Sequence, residues 1–511
     1  MWYKQTHTSR IRNASVWFSF LLFCVLLLTA VFSGCSIKTE KIDSDASLQE
    51  FTSYLDQRVP QLLDHFDIPG LTIALVHDRQ PVWSGSYGFA DQEKETPMTG
   101  DAIFRAGSIS KPLTAWGVMR LAEKGVIDLD KPVEKYLSRW EFPEGKYESE
   151  EVTIRRLLSH TAGLPPAIGG GYTPEEELPP LESILAGEEN EEEVRITREP
   201  GSAFSYSNPG YMVLELLIEE VANQSYASYM KKEVLEPLGM QDSTYVWSRE
   251  LEKNTATGYY ADGSPVPILL DAAKAPGGIY TTAGDLARFL AANMTGPDGE
   301  PAGRDILKSE KVNQMHTPVI ETSSFYALIS DAYGLGYMVE TLPTGEQAVF
   351  HGGQHTGWIS HSHLYPETGE GLVILTNSER SQHLQVHILK DWAEWMGYTS
   401  PKMSNTFAYI STVLGILTGL FLLASCLLAW RLLRGVISGR FSLAPFSRNQ
   451  LASRLIRAGV SLLLFILWWG VVPYLLKLYL PVISFWLGIA LCAFAAILML
   501  SAVFPEKSPD N

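Results

Sequence analysis

Apolar residues crowd the two ends of the chain, while its middle alternates apolar and polar positions at strand and helix periods. Residues 15–33 (SVWFSFLLFCVLLLTAVFS) form an apolar run preceded by Lys4, Arg10 and Arg12, with no acid before it. That is the pattern of a secretion signal or an N-terminal membrane anchor. The run ends in FSGCS, so Cys35 stands where a lipobox cysteine would, with Phe32 three residues before it. Three more apolar runs, 407–430, 458–476 and 481–504, close the chain. At ~1.5 Å rise per residue each is long enough to cross a ~30 Å hydrocarbon core. Between the first two lie Arg431, Arg434, Arg440, Arg448, Arg454 and Arg457 without an acid, which predicts a cytoplasmic loop. The basic N-terminus gives the same sidedness, so the middle of the chain is expected to face outward. The predicted division is a signal, lipoprotein-like or anchor segment at 1–35, an extracytoplasmic domain at 36–404, and three transmembrane helices at 405–511 with an Arg-rich cytoplasmic loop at 431–457.

Within the middle, residues 70–91 (GLTIALVHDRQPVWSGSYGFAD) read as two strands around a polar turn at 77–80. Helical periods follow at 112–124 and near 211–221. A Glu-rich stretch punctuated by Gly and Pro, 169–201, reads as a solvated excursion that could also shape a neighbouring cleft. Residues 357–377 read strand, turn, strand. A helix follows with Leu384, Ile388, Trp392 and Trp395 on one apolar face and Gly397 as its stop. Strands at both ends with helices between predict an α/β (α+β) domain: an antiparallel sheet completed late in the chain, with a helical lobe inserted.

Charge divides the chain in the same way. Residues 36–404 hold 29 Lys and Arg against 55 Asp and Glu, a net of −26, within a whole-chain net of −17. Nucleic acid and anionic lipid are therefore poor partners for this domain. Cys24, Cys35, Cys426 and Cys492 all lie outside it, so an exported domain must be held by its core and not by disulfides.

Candidate chemistry begins at RAGSISKPLTAWG, residues 105–117. If a helix starts at Ser108, Pro112 falls in its first turn, where no N–H bond is lost. Lys111 then shares a face with Ser108. The pair reads either as a cap followed by a surface charge, or as a nucleophile with its activating amine. A lysine serves the second role only when burial and nearby positive charge make it less basic. Two further stretches bear on the choice. FSYSNPGY places Tyr206 and Asn208 just before a helix, and AVFHGGQHTGW places His351 and a glycine pair on a strand.

With these stretches in order, the chain resembles the serine hydrolases of the class C beta-lactamase and penicillin-recognising superfamily. FRAGSISKPLTA, GVIDLDKPVEKYL, TIRRLLSHTAGLP, FSYSNPGY, EPLGMQDSTY, APGGIYTTAGDLARFL and HGGQHTGW carry the resemblance across most of 50–395. It implies a beta-lactamase/transpeptidase-like fold, and with the apolar ends the chain is expected in the bacterial cell membrane. It implies Ser108 as nucleophile, Lys111 as its activator, Tyr206 as proton relay, and Asn208 as the residue that orients lysine and substrate. The third motif aligns with His351, Gly352 and Gly353. The implied oxyanion hole is the backbone N–H of Ser108 with that of Gln354.

Where relatives carry lysine, this chain has His351. A histidine near its reference pKa of ~6.5 is mostly neutral at pH 7, so it is expected to donate a hydrogen bond to substrate but to clamp a carboxylate weakly. Histidine in this place resembles the esterase-like and D-amino-acid peptidase-like branches of the superfamily, which implies an acyl-enzyme acting on an ester, amide or D-amino-acid peptide bond, with peptidoglycan among the partners. A wall-peptide binder with little turnover, or a beta-lactamase, is the alternative. His160 is expected to support the site, and a metal cluster of His351, His355, His361 and His363 is not expected. No cofactor is implied.

Overall fold

The computed structural model describes residues 42–166, 171–188, 192–444, 450–470 and 480–507. The N-terminal apolar run and Cys35 lie outside the described residues. So do 169, 170 and 189–191 of the Glu-rich stretch, 445–449 of the Arg-rich loop, and 471–476 of the second C-terminal run. The chain divides into a compact unit, Ile42–Thr406, and a second unit made of the flanking residues.

In the first unit the strands are β1 (Gly70–His77), β2 (Gln80–Asp91), β3 (Thr96–Pro97), β4 (Phe104–Arg105), β5 (Tyr280–Thr281), β6 (Ile320–Glu321), β7 (Ala332–Tyr333), β8 (Met338–Thr341), β9 (Gln347–His355), β10 (Trp358–Tyr365) and β11 (Glu370–Thr376). All but β4 and β5 join one sheet in the order β3-β2-β1-β11-β10-β9-β8-β7-β6. Its pairings are antiparallel, and β1 meets β11 with Leu71 opposite Thr376. The sheet is therefore completed by the last strand, as the pattern of strands at both ends predicts. Asp78 and Arg79 both have positive φ, the geometry of a two-residue turn that matches strand twist.

The central strands are buried on both faces, which explains their nearly continuous apolar runs. Ala74, Val76, Val373 and Leu375 join the large core beneath the helical lobe. The alternate residues Ile73, Leu75, Leu372 and Ile374 are fully buried on the opposite face. The first and last long helices of the unit pack together: α1 (Leu48–Phe66) and, at the far end of the sequence, Gln382–Trp395. Phe51 stacks on Trp395 at 4.1 Å, and Arg58 pairs with Asp391 at 3.3 Å. Helix α1 starts with a capping box of Ser47 and Glu50.

The helical lobe is built around α2 (Ser110–Glu123), buried on nearly every side, and α3 (Asn208–Ala222). Ser207 caps α3, and Pro209 opens it where a missing N–H costs nothing. The helices Lys402–Ile437, whose first five residues belong to the compact unit, Leu451–Gly470 and Val482–Val503 are long and apolar enough to cross a membrane.

Candidate active site

Ser108 lies in a tight 3-10 turn, Gly107–Ile109, that runs straight into α2. The helix thus begins two residues later than the spacing suggested, and no side chain caps it. The cap reading of Ser108 is excluded by that geometry. Gly107 has φ +53, and a Cβ there would come within 2.8 Å of the Gln354 backbone N. A Cβ on Gly353 would meet the Ala106 carbonyl at 2.0 Å and Ser360 Oγ at 2.2 Å. These glycines let the Ser108 turn pack directly on β9, which brings the backbones of Ser108 and Gln354 together at one cleft. Both residues line it.

Lys111 is fully buried. Its Nζ lies 3.1 Å from Ser108 Oγ, 2.9 Å from Asn208 Oδ1 and 2.7 Å from the Pro276 carbonyl. Burial pushes its pKa well below the usual lysine range. A neutral amine has two hydrogens and one lone pair. Asn208 and Pro276 offer acceptors to both hydrogens, which leaves the lone pair for the Ser108 hydroxyl. This is the arrangement a general base requires.

The Tyr206 hydroxyl lies beside Ser108, and its ring lies 4.8 Å from Lys111 Nζ. Burial first, then Tyr326, drives its pKa well above 10 against the opposing effect of Ser108, so at neutral pH Tyr206 holds its proton. Tyr326 stacks on it at 5.0 Å and His160 packs at 4.3 Å. His160 Nδ1 accepts the Ser207 N–H at 3.1 Å, fixing the loop that carries Tyr206. Burial, with Lys111 and His351 nearby, keeps His160 neutral.

His351 differs from its expected role. It is 1% exposed, Nδ1 donates to the Gly352 carbonyl at 2.6 Å, and Nε2 accepts from Tyr333 Oη at 3.1 Å. Burial, then Lys111, lowers its pKa to about 3. Both ring nitrogens are thus occupied, and His351 supports Tyr333 instead of reaching into the cleft. The other histidines separate too: His355 pairs with Asp271 at 3.1 Å, while His361 and His363 face each other at 3.3 Å in the core. Among the described residues the His/Asp/Glu trio close enough to share a cation is His77, Asp78 and Glu370, away from this cleft.

The cleft encloses about 350 Å³. Its lining includes Tyr172 and Ile184, so the stretch 169–201 contributes to the wall. Tyr172 is tied there by reciprocal backbone bonds with Leu270. Sequence reading missed two acids. Asp271, on the cleft wall, binds the buried Arg105 guanidinium and His355. Burial opposes its ionisation, but these two partners outweigh it and hold the carboxyl at about 2. Glu215 on α3 is 2% exposed and accepts the N–H groups of Lys274 and Ala275 at 2.6 and 2.7 Å. Its burial lifts its pKa to about 7, although Lys274 and those bonds favour the ion. No Lys or Arg lines the cleft among the described residues.

Comparison with known proteins bears on the family and the fold. Residues 55–391 match the Beta-lactamase family. Protein flp of Staphylococcus aureus (strain MRSA252) is 26% identical over 403 residues, 76% of this chain and 77% of that protein. A penicillin-binding protein of Bacillus subtilis (strain 168) is 27% identical over 324 residues, covering 60% and 67%. The octameric penicillin-binding protein homologue from Pyrococcus abyssi has a TM-score of 0.58 at 26% identity, over 71% of this chain and 81% of that one. A class C beta-lactamase shares the fold, with a TM-score of 0.54 at 21% identity over 65% and 93%. The family match covers most of the compact unit and stops before the apolar C-terminal helices; the chain belongs to the beta-lactamase family.

Proposed function

We propose that this chain is a membrane-anchored, outward-facing serine hydrolase. It acts through an acyl-enzyme on Ser108 and cleaves a neutral ester, an amide or a D-amino-acid peptide bond, with wall peptides among its substrates. The observation that carries the reading is the buried Lys111 amine, with acceptors for both of its hydrogens and its lone pair left to Ser108 Oγ. In the first step Ser108 Oγ bonds to the substrate carbonyl carbon as its proton passes to Lys111 Nζ. The carbonyl oxygen gains the electron pair and is received by the N–H groups of Ser108 and Gln354, a type of contact that contributes on the order of 3 kcal/mol each. Tyr206, holding its proton, donates it to the leaving group as that bond breaks and recovers one through Lys111. Water then repeats the sequence on the acyl-enzyme and frees Ser108.

The outward orientation is supported by the all-basic loop at 431–457 and the basic N-terminus. The preference for uncharged substrates is supported by His351, neutral and engaged, and by the absence of Lys or Arg among the cleft's described lining residues. The test is turnover by the full chain in detergent of an activated ester, a D-alanyl anilide and benzylpenicillin. Ser108→Ala is expected to abolish hydrolysis of whichever is cleaved. Hydrolysis that survives Ser108→Ala would contradict the proposal.

A further inference from the structure

The connection between β6 and β7 is closed at its base by Thr322, whose N–H donates to Asp331 and whose Oγ1 donates to Ser330. It then leaves the sheet as a single turn, Ser324–Leu328. Phe325 and Leu328 on that turn are 45% and 46% exposed, while the next residues, Ile329 and Ser330, are buried. The turn is clasped to the start of helix Lys402–Ile437. Thr406 Oγ1 donates to the Leu328 carbonyl at 2.5 Å, and Lys402 Nζ reaches Asp331 at 2.6 Å and the Ser330 carbonyl at 3.1 Å.

That helix changes character at the clasp. Residues 402–406 read KMSNT, and the apolar run begins at Phe407. A boundary of this kind, with a lysine just outside and aromatic residues just inside, marks where a membrane-crossing helix meets the headgroup layer. Leu328 is bonded to the residue at that boundary. We infer that the turn Ser324–Leu328 rests on the lipid surface of the chain's own membrane, with Phe325 and Leu328 entering the interfacial layer. The inference rests on helix Lys402–Ile437 crossing a membrane. Charge does not draw the unit there, since 36–404 carries −26. The covalent tether does so instead, because a linked site needs little intrinsic affinity to stay engaged. Tyr326, between the two apolar residues, stacks on Tyr206 at 5.0 Å with 19° between the rings. Lipid contact by its neighbours therefore holds the ring against which the proton relay leans.

The test uses the full chain in phosphatidylcholine nanodiscs, with its four cysteines replaced by serine and a nitroxide on Leu328→Cys. Lys253→Cys, on an exposed helix of the same unit, is the control. The label at 328 is expected to be several-fold more accessible to oxygen, relative to a water-soluble nickel reagent, than the label at 253. Equal ratios at the two positions would overturn the inference. So would a 328 label shielded from both reagents, because the turn would then be covered by protein, either a second copy or residues 1–41. If Leu328→Cys does not fold, Phe325→Cys carries the same measurement. The readout needs no catalysis, so it stands apart from the serine hydrolase proposal.

Discussion

Glu215 and Lys111 do not touch, yet one loop joins them. The Glu215 carboxylate accepts the Ala275 N–H at 2.7 Å, and the carbonyl of the next residue, Pro276, receives Lys111 Nζ at 2.7 Å. Thr114, one turn beyond Lys111 on α2, holds the Ala275 carbonyl at 3.1 Å. Removing the carboxylate by Glu215→Ala leaves two buried N–H groups unpaired, and the loop shifts. Hydrolysis by that variant is expected to fall about 10²-fold, a loss of the size misplacement can cause. Glu215→Gln, which keeps an acceptor oxygen, is expected to retain most of the turnover.

The same carboxyl links stability to pH. Its pKa is raised on folding from 4.5 to about 7. The folded state is therefore favoured most below pH 4.5 and loses that advantage as pH rises through 7. The loss is at most about 3 kcal/mol. Thermal midpoints of wild type and Glu215→Gln, compared from pH 4.5 to 8, are expected to diverge in favour of the variant as pH rises. A constant difference would exclude this role.

In the proposed mechanism Lys111 is a neutral base, because burial lowers its pKa well below 10.5. The pH profile of kcat/KM is expected to reach its plateau by about pH 8, and Lys111→Ala to lose about 10²- to 10⁴-fold in kcat. A rate still climbing at pH 10 would mean that the lysine rests charged.

His351 is neutral across the working range, since its pKa is lowered to about 3. The ratio of benzylpenicillin acylation to acylation by a neutral ester is expected to stay flat between pH 8 and pH 5.5. A histidine titrating near 6.5 as an anion clamp would raise that ratio severalfold on acidification.

Asp271, on the cleft wall, is paired with the buried Arg105 guanidinium. Asp271→Asn leaves Arg105 buried without its carboxylate and removes one negative charge from the cleft wall, where Glu379 remains. The variant is expected to melt lower, as loss of one partner of a buried pair costs about 3–5 kcal/mol. Its preference is expected to shift towards anionic substrates by about tenfold, the effect of one nearby charge at modest screening. Competition between a carboxylated and a neutral ester measures the shift.

What sequence could and could not reveal follows from the range of the interactions. The Ser108–Lys111 pair lies within one helical turn, so its spacing alone suggested contact. Strands β1, β10 and β11 were legible as short runs bounded by turn residues, and the helix Gln382–Trp395 by its apolar stripe. Arg105, Asp271 and His355 are far apart in sequence and meet only when β9 closes on the nucleophile turn, so no local pattern marks them. Glu215 is one acid within a buried run of α3, Tyr211 to Ile218, and no local pattern names the Lys274 and Ala275 N–H groups it accepts. His351 shows the converse: its place in a motif suggested substrate contact, and only packing reveals that Tyr333 and Gly352 occupy both nitrogens.

The central claim is that Ser108 is acylated and then released. Intact mass of the full chain, followed over time with an activated ester, tests it most directly. Wild type is expected to gain one acyl mass and lose it again, and Ser108→Ala to gain none. Folded wild type that never gains the mass, or a variant that gains it equally, would contradict the account.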